Sequence, residues 1–267
     1  MKLLRVENIN SIMFLDIETA PQWEKLEDAP EYVQKEWIYK FKFRDDAPKN
    51  PDTLKKETVE NENHTNIFRK KLKENYFEYF ANLWTAQAGL YAEFSKIICI
   101  SAGYMDGYNF KLKSYSSENE ADLLIAFKND LNSFYNYNKF LKLCAHYGKG
   151  FDFPFIARRL LIHRQVLPVL LDNYGLKPWE GVNLDTHEIW KIGSFGGSGT
   201  LGSIAMAFGI PSPKDDIEGA DVARAYYAGE LDRIVTYCDK DTFTLLNVFK
   251  AMRGEDLLDW GAVQKTL

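Results

Sequence analysis

Five side chains scattered through a chain of 267 residues have the types and spacings to do chemistry together. Asp16 and Glu18 close the apolar run FLDIET. Residues i and i+2 of a strand share one face, so two carboxylates stand side by side at the end of a buried strand. Like charges placed there repel and lose hydration, which proteins offset with a metal or an opposite charge. Asp152, in AHYGKGFDFPFI, follows a second apolar run and opens a helical pattern; alone it reads as an N-cap. Tyr237 and Asp241, in YCDKDTF, are four residues apart and point together on a helix, while Asp239 points elsewhere. Each signal alone has a bland reading: a solvated strand end, a cap, a polar helix face. Together, the four carboxylates form an all-oxygen donor set that selects Mg2+ or Mn2+ over zinc. Two such ions about 4 Å apart clamp the attacking and leaving oxygens of an in-line phosphoryl displacement.

The elements that must position these groups alternate strand and helix. Residues 11–19 read as a buried strand. Residues 95–104 and 110–116 read as a hairpin around Asp106-Gly107. Residues 121–134 carry apolar side chains at helical spacing, 140–147 read as another buried strand, and 154–165 as a helix with Pro154 in its first turn. Residues 219–253 form a long helical stretch broken near Gly229. This is an α/β pattern with a mixed sheet. Residues 20–94 differ: both charge signs mix, and loop punctuation such as DDAPKNPD interrupts two helical stretches, 34–43 and 67–91. The expectation is a single domain over 1–267, with 20–94 as a helical insertion after the first strand that forms a wall or lid near its end, or else a solvated surface excursion.

Composition bounds the rest. Hydrophobic residues are 46% and charged residues 27%, as in a globular protein able to bury a core without staples. The apolar stretches at 97–100 and 167–171 fall far short of the ~20 residues of a membrane span. The N-terminal MKLLRVENINSIMF reads as the approach to the first strand, not a signal peptide. Cys99, Cys144 and Cys238 form no CxxC pair and fit a reducing, cytoplasmic setting. The four histidines show no ligand spacing. A net charge of −5 argues against coating DNA by bulk electrostatics, but not against a nucleic-acid enzyme whose positive charge is bound metal.

With these residues in view, the sequence resembles the DEDD superfamily of 3′–5′ exonucleases, which have a ribonuclease H-like fold: a mixed central sheet flanked by helices. FLDIET is similar to its first motif, FDFPF to its second and YCDKD to its third. Tyr237, four before Asp241, places the resemblance in the Tyr branch, as in the proofreading domain of family B DNA polymerases. LYAEFSKIICISAGY, LDTHEIWKIG and the stretch from IPSPKDD to YCDKD resemble the predicted stand-alone exonucleases related to that domain. The resemblance covers 11–20 and about 87–253, and skips the insertion. It implies that Asp16, Glu18, Asp152 and Asp241 ligate two metal ions, that Asp16 bridges them, and that Tyr237 orients the attacking water. It also implies cleavage of the terminal phosphodiester of single-stranded DNA, releasing a nucleoside monophosphate. Backbone groups at Thr19 and Ala20 then meet the 3′ end, with Tyr147 and Phe151 beside the substrate. One departure stands out: relatives carry Asn five residues before the second-motif Asp, and here that residue is Tyr147, suited to stacking on a base or ribose.

Some neighbours invite weaker readings. Lys149, Arg158 and Arg159 suit phosphate contacts or plain solvation. Lys214, Asp215 and Asp216 suit a turn and cap. The glycine-rich 193–199 lacks the Lys of a phosphate-binding loop and reads as a surface loop beside the substrate. His146 reads as a satisfied core histidine. The ligand set does not encode sugar preference, so an exoribonuclease is the alternative within the same chemistry, and a non-catalytic nucleic-acid-binding module of the same fold is the alternative from another class. A 267-residue chain leaves no room for a polymerase domain.

Overall fold

The computed structural model describes residues 4–53, 62–177, 180–194, 199–211 and 217–266. In chain order the elements are β1 (Ile12–Pro21), α1 (Glu31–Phe41), α2 (Glu62–Gln87), β2 (Ser95–Asp106), β3 (Asn109–Ser116), α3 (Glu120–Tyr137), β4 (Lys142–Ala145), α4 (Asp152–Ile162), β5 (Leu184–Asp185), α5 (Thr186–Lys191), α6 (Leu201–Ala207), α7 (Val222–Tyr227), α8 (Leu231–Arg253) and β6 (Val263–Lys265). Lys214, Asp215, Asp216 and residues 195–198 lie outside the described residues. No helix among the described residues is long and apolar enough to cross a membrane.

The chain forms two compact units, Met1–Thr19 with Ile97–Leu267, and Ala20–Lys96. The sheet has the order β5-β4-β1-β2-β3-β6. It is mixed: β1 with β4, β4 with β5 and β3 with β6 are parallel, and β2 with β3 is antiparallel. The hairpin closes where expected, with Asp106 opposite Asn109 and Gly107 at φ +62°, a backbone that glycine adopts without strain.

Alternation along β1 sorts its side chains. Ile12 and Phe14 face a core built with Leu245, Leu246, Val248 and Phe249 of α8. Phe14 meets Phe249 edge-to-face at 5.3 Å between ring centroids. Asp16 and Glu18 continue that same alternate face. On β3, Ser114 faces α8 while Tyr115 packs edge-on against Phe127 of α3, so helices cover both sheet faces. This is a mixed α/β arrangement, as the alternation of strand and helix in the sequence predicts. Gly229 separates α7 from α8, as its position in the helical stretch predicts.

The unit Ala20–Lys96 has its own core. Val33, Trp37 and Phe41 of α1 recur every four residues, as do Phe80 and Trp84 of α2 and Ala88 just beyond its end, and these stripes pack together. Both indole N–H groups are satisfied inside: Trp37 Nε1 donates to the Phe80 carbonyl at 2.9 Å, and Trp84 Nε1 to the Trp23 carbonyl at 3.1 Å.

Candidate functional site

The register between β1 and β4 ends at Phe14 opposite Cys144. Beyond it the two strands part at their carboxyl ends, the place where open α/β sheets bind ligands. β1 runs on with Asp16 and Glu18, while the chain after β4 loops through residues 146–151 and returns as α4. Asp152 is the first residue of α4, not its N-cap, which is Phe151. Its carboxylate accepts hydrogen bonds from its own backbone N–H and from that of Ile17, between Asp16 and Glu18. From the sheet face opposite α3, α8 brings up Tyr237, Cys238 and Asp241. The Tyr237 phenol is hydrogen-bonded to Asp241 and is perturbed by the charges of Glu18 and Asp16. The five residues therefore converge.

The electrostatics are those of crowded anions. Burial pushes Asp16 well above the ordinary carboxylate range, and Glu18, Asp152 and Asp241 push it further. Glu18 is raised by burial, then by Asp241 and Asp152. Asp152 is raised to about 7, mainly by burial. Among the described residues, no cation contributes to the shifts of Asp16 or Glu18. The phenol of Tyr237 is also pushed up, first by burial and then by Asp241, so it stays protonated and donates. Hard carboxylate oxygens that repel one another in a low-dielectric pocket fit divalent cations such as Mg2+ or Mn2+.

One neighbour has no signal in the sequence. The Cys238 thiol donates to the Asp16 carbonyl at 3.4 Å and to its Oδ2 at 3.6 Å. Ligand atoms of Asp16, Glu18 and Cys238 all lie within 4.8 Å of one another. Burial holds the thiol well above its usual pKa, so it is a donor to Asp16. Asp239 points away, as its helical position requires. It is fully buried, and Ser101 and Ser114, opposite each other on β2 and β3, both donate to its Oδ1 at 2.7 Å. Lys265 of β6 lies 2.8 Å from Oδ2, an ion pair set outside hydrogen-bond geometry. This anchor fixes the rotation of α8, and with it the direction of Tyr237 and Asp241.

The loop after β4 is held from β5. Asp185 accepts the backbone N–H groups of Tyr147 (2.9 Å), Lys149 (3.0 Å) and His187 (2.9 Å). Strand β4 stops at Ala145, short of the expected Tyr147, because Tyr147 takes up a left-handed backbone at φ +62°. Its carbonyl accepts from Gly150 and Phe151. A Cβ on Gly150 would lie 2.6 Å from the Tyr147 ring, so only glycine fits beneath it. The Tyr147 ring is about half exposed and meets His187 edge-on at 5.1 Å. His146 is satisfied, with Nδ1 at 3.0 Å from the Thr186 hydroxyl and Nε2 at 2.9 Å from the Gly199 carbonyl. Burial lowers its pKa and keeps it neutral.

The other expected residues fall as follows. Phe151 packs on Phe155 at 5.1 Å. Thr19 is partly buried and Ala20 fully buried on β1. Lys149 pairs with Glu188 at 2.8 Å. Arg159, expected on a solvated or phosphate-facing surface, is instead 4% exposed and forms a bidentate pair with Glu120, its Nε 2.8 Å from Oε1. Only Arg158 of that pair is exposed.

Asp185→Ala is expected to lower the free energy of unfolding by about 2–4 kcal/mol, since three N–H groups lose a charged acceptor. Asp185→Asn, which keeps one oxygen, retains part of it. Urea titration reads both, and an unchanged midpoint for the alanine variant contradicts this role.

Comparison with known families gives a match to the family model for the RNase_H superfamily, RNase_H_2, over residues 86–253. Comparison with curated proteins gives no match. Among solved structures, the chain is similar to the family B DNA polymerase from the hyperthermophilic archaeon Pyrobaculum calidifontis, with a TM-score of 0.42 and 18% identity over 57% of this chain. The match spans 21% of that polymerase chain.

Proposed function

Because the chain belongs to the RNase_H superfamily, a fold of metal-using nucleases, we propose that it is a 3′–5′ exonuclease of the Tyr branch of the DEDD superfamily. On this reading residues 1–267 form one exonuclease domain, and its substrate is the 3′ end of nucleic acid, single-stranded DNA in the first instance. The observation that carries it is the convergence of Asp16, Glu18, Asp152 and Asp241 into a mutually repelling set, partly to fully buried, with the Tyr237 phenol bonded to one of them.

Asp16, Glu18, Asp152 and Asp241 would hold two divalent cations, Mg2+ or Mn2+. When bound, these supply positive charge to the attacking and leaving oxygens of an in-line displacement. The chain's own residues do the rest. Tyr237 donates to Asp241 and keeps a lone pair to orient the attacking water. Its raised pKa excludes it as a base at neutral pH. The neutral Cys238 thiol and the backbone N–H of Ile17 hold Asp16 and Asp152 in place. Tyr147 offers an exposed ring face to a terminal base.

The test is incubation of 5′-labelled and 3′-labelled strands of DNA and RNA with Mg2+ or Mn2+. The expected result is a 5′-labelled ladder that shortens from the 3′ end, and a 3′-label released first as mononucleotide. Internal cuts, or no metal-dependent hydrolysis, would overturn the reading, and the DNA and RNA arms fix the sugar. Tyr237→Phe is expected to lower kcat about 10–100-fold with KM nearly unchanged, because it removes orientation of the water and not strand binding.

A further inference from the structure

Tyr147, in the loop after β4, and His187, in the first turn of α5, are held by one carboxylate oxygen. Oδ1 of Asp185 accepts the backbone N–H of each at 2.9 Å, which fixes the two residues relative to one another. Tyr147 keeps a left-handed backbone, and strain of this kind collects at functional sites. Its ring rests one face on Gly150, where a Cβ would lie 2.6 to 2.9 Å from three ring atoms, and the ring is half exposed. The His187 ring meets it edge-on at 5.1 Å, and His146 meets His187 edge-on at 5.6 Å. The two histidines differ in their partners. Both nitrogens of His146 are engaged, by the Thr186 hydroxyl and the Gly199 carbonyl. His187 is 8% exposed, yet among the described residues neither of its ring nitrogens has a hydrogen-bond partner, and neither is sealed from solvent. An imidazole this deeply buried and left unpaired is explained by a polar group that arrives from outside.

The pair lies beside the carboxylates. The Tyr147 carbonyl accepts the N–H of Phe151, the residue before Asp152, and the charge of Asp185 is felt at Asp152 itself. We propose that Tyr147 and His187 form one seat for the terminal nucleobase: the base lies on the open face of Tyr147, and the His187 imidazole hydrogen-bonds to the base edge. The inference rests on the exonuclease reading and adds His187 to it as a substrate-binding residue. A base is the part of a nucleotide that uses both groups at once, since a sugar or a phosphate has no flat face to stack on Tyr147. In its neutral form an imidazole carries one donor and one acceptor nitrogen, and every base edge offers both kinds of partner. The seat therefore takes any base and gains nothing from an abasic end.

The experiment compares 5′-labelled DNA strands ending in thymidine or in an abasic tetrahydrofuran residue, in Mn2+, and reads kcat/KM for loss of the last residue. Wild type is expected to favour the thymidine end about tenfold or more, the worth of one stacked and hydrogen-bonded base. His187→Leu is expected to narrow that preference about 3- to 10-fold, the worth of one hydrogen bond. His187→Gln, which keeps a donor and an acceptor, is expected to hold most of it, and Tyr147→Leu to narrow it about fivefold or more. The preference is a ratio read within one protein, so partial unfolding of a variant cancels from it. If His187→Leu keeps the full preference, whatever its overall rate, the imidazole serves the fold or a phosphate and the inference is overturned. If wild type cuts both ends alike, the seat is overturned while the exonuclease reading stands. If wild type cuts neither end, the exonuclease reading fails first and takes this inference with it.

Discussion

Asp16→Asn is expected to lower metal-dependent hydrolysis about 10^3-fold or more, and at the same time to raise the melting temperature of the protein stripped of metal. The two effects share one cause. Asp16 sits partly buried against Glu18, Asp152 and Asp241, and each raises its pKa beyond what burial does. Neutralising it relieves repulsion among the remaining three, a gain of about 1–3 kcal/mol in the metal-free state. The same substitution removes the oxygen charge that the site needs to hold cations. Thermal unfolding in EDTA and single-turnover hydrolysis in Mn2+ read the two signs. A metal-free Asp16→Asn protein that melts below wild type would show that the carboxylates are not in conflict.

The pH dependence follows with its sign. Asp16, Glu18 and Asp152, the last at about 7, all titrate above the ordinary carboxylate range in the folded chain. Between about pH 4 and 7 the folded chain keeps protons that the unfolded chain has released, so metal-free stability falls as pH rises through this window. Saturating Mn2+ is expected to abolish that decline, since the ionised carboxylates then have a counter-charge.

The second large effect lies away from the carboxylates. Glu120→Ala is expected to cost about 3–5 kcal/mol of unfolding free energy, the range for leaving one partner of a buried ion pair alone. Glu120 is 6% exposed and binds Arg159, His163 Nε2 at 2.8 Å and the backbone N–H of Ile97 at 2.7 Å. One side chain therefore ties α3 to α4 and to β2. Its removal strands a guanidinium that is buried still more deeply, at 4% exposure. The double variant Glu120→Leu with Arg159→Met is expected to recover much of the loss, because it leaves neither a charge nor a void. Urea unfolding of the three proteins decides; a Glu120→Ala loss below about 1 kcal/mol would mean that Arg159 finds another partner.

Groups related by a helical or strand period were legible in the sequence. Asp16 and Glu18 follow from a period of two, Tyr237 and Asp241 from a spacing of four, and the hairpin from Asp106-Gly107. What stayed hidden is what depends on partners without a local signature. Asp185 binds backbone N–H groups 36 and 38 residues away, and any residue offers those. Cys238 meets Asp16 across 222 residues, and nothing in YCDKD marks its thiol as a donor. Arg159 looks like Arg158 in sequence; its burial is set by Glu120, 39 positions earlier. The early end of β4 arises because Tyr147 is held at a positive φ, a backbone state that a tyrosine does not announce. In the unit Ala20–Lys96, mixed charges mask the aromatic stripes that build its core.

The phase of α8 sets two pressures on a single turn of helix. Residue 239 answers to the serines of the hairpin, while 237 and 241 answer to the carboxylates. A descendant that abandoned catalysis would thus keep its aspartate at 239 as architecture and drift freely at 237 and 241. The ratio of change at those three positions would date the loss of activity in its lineage.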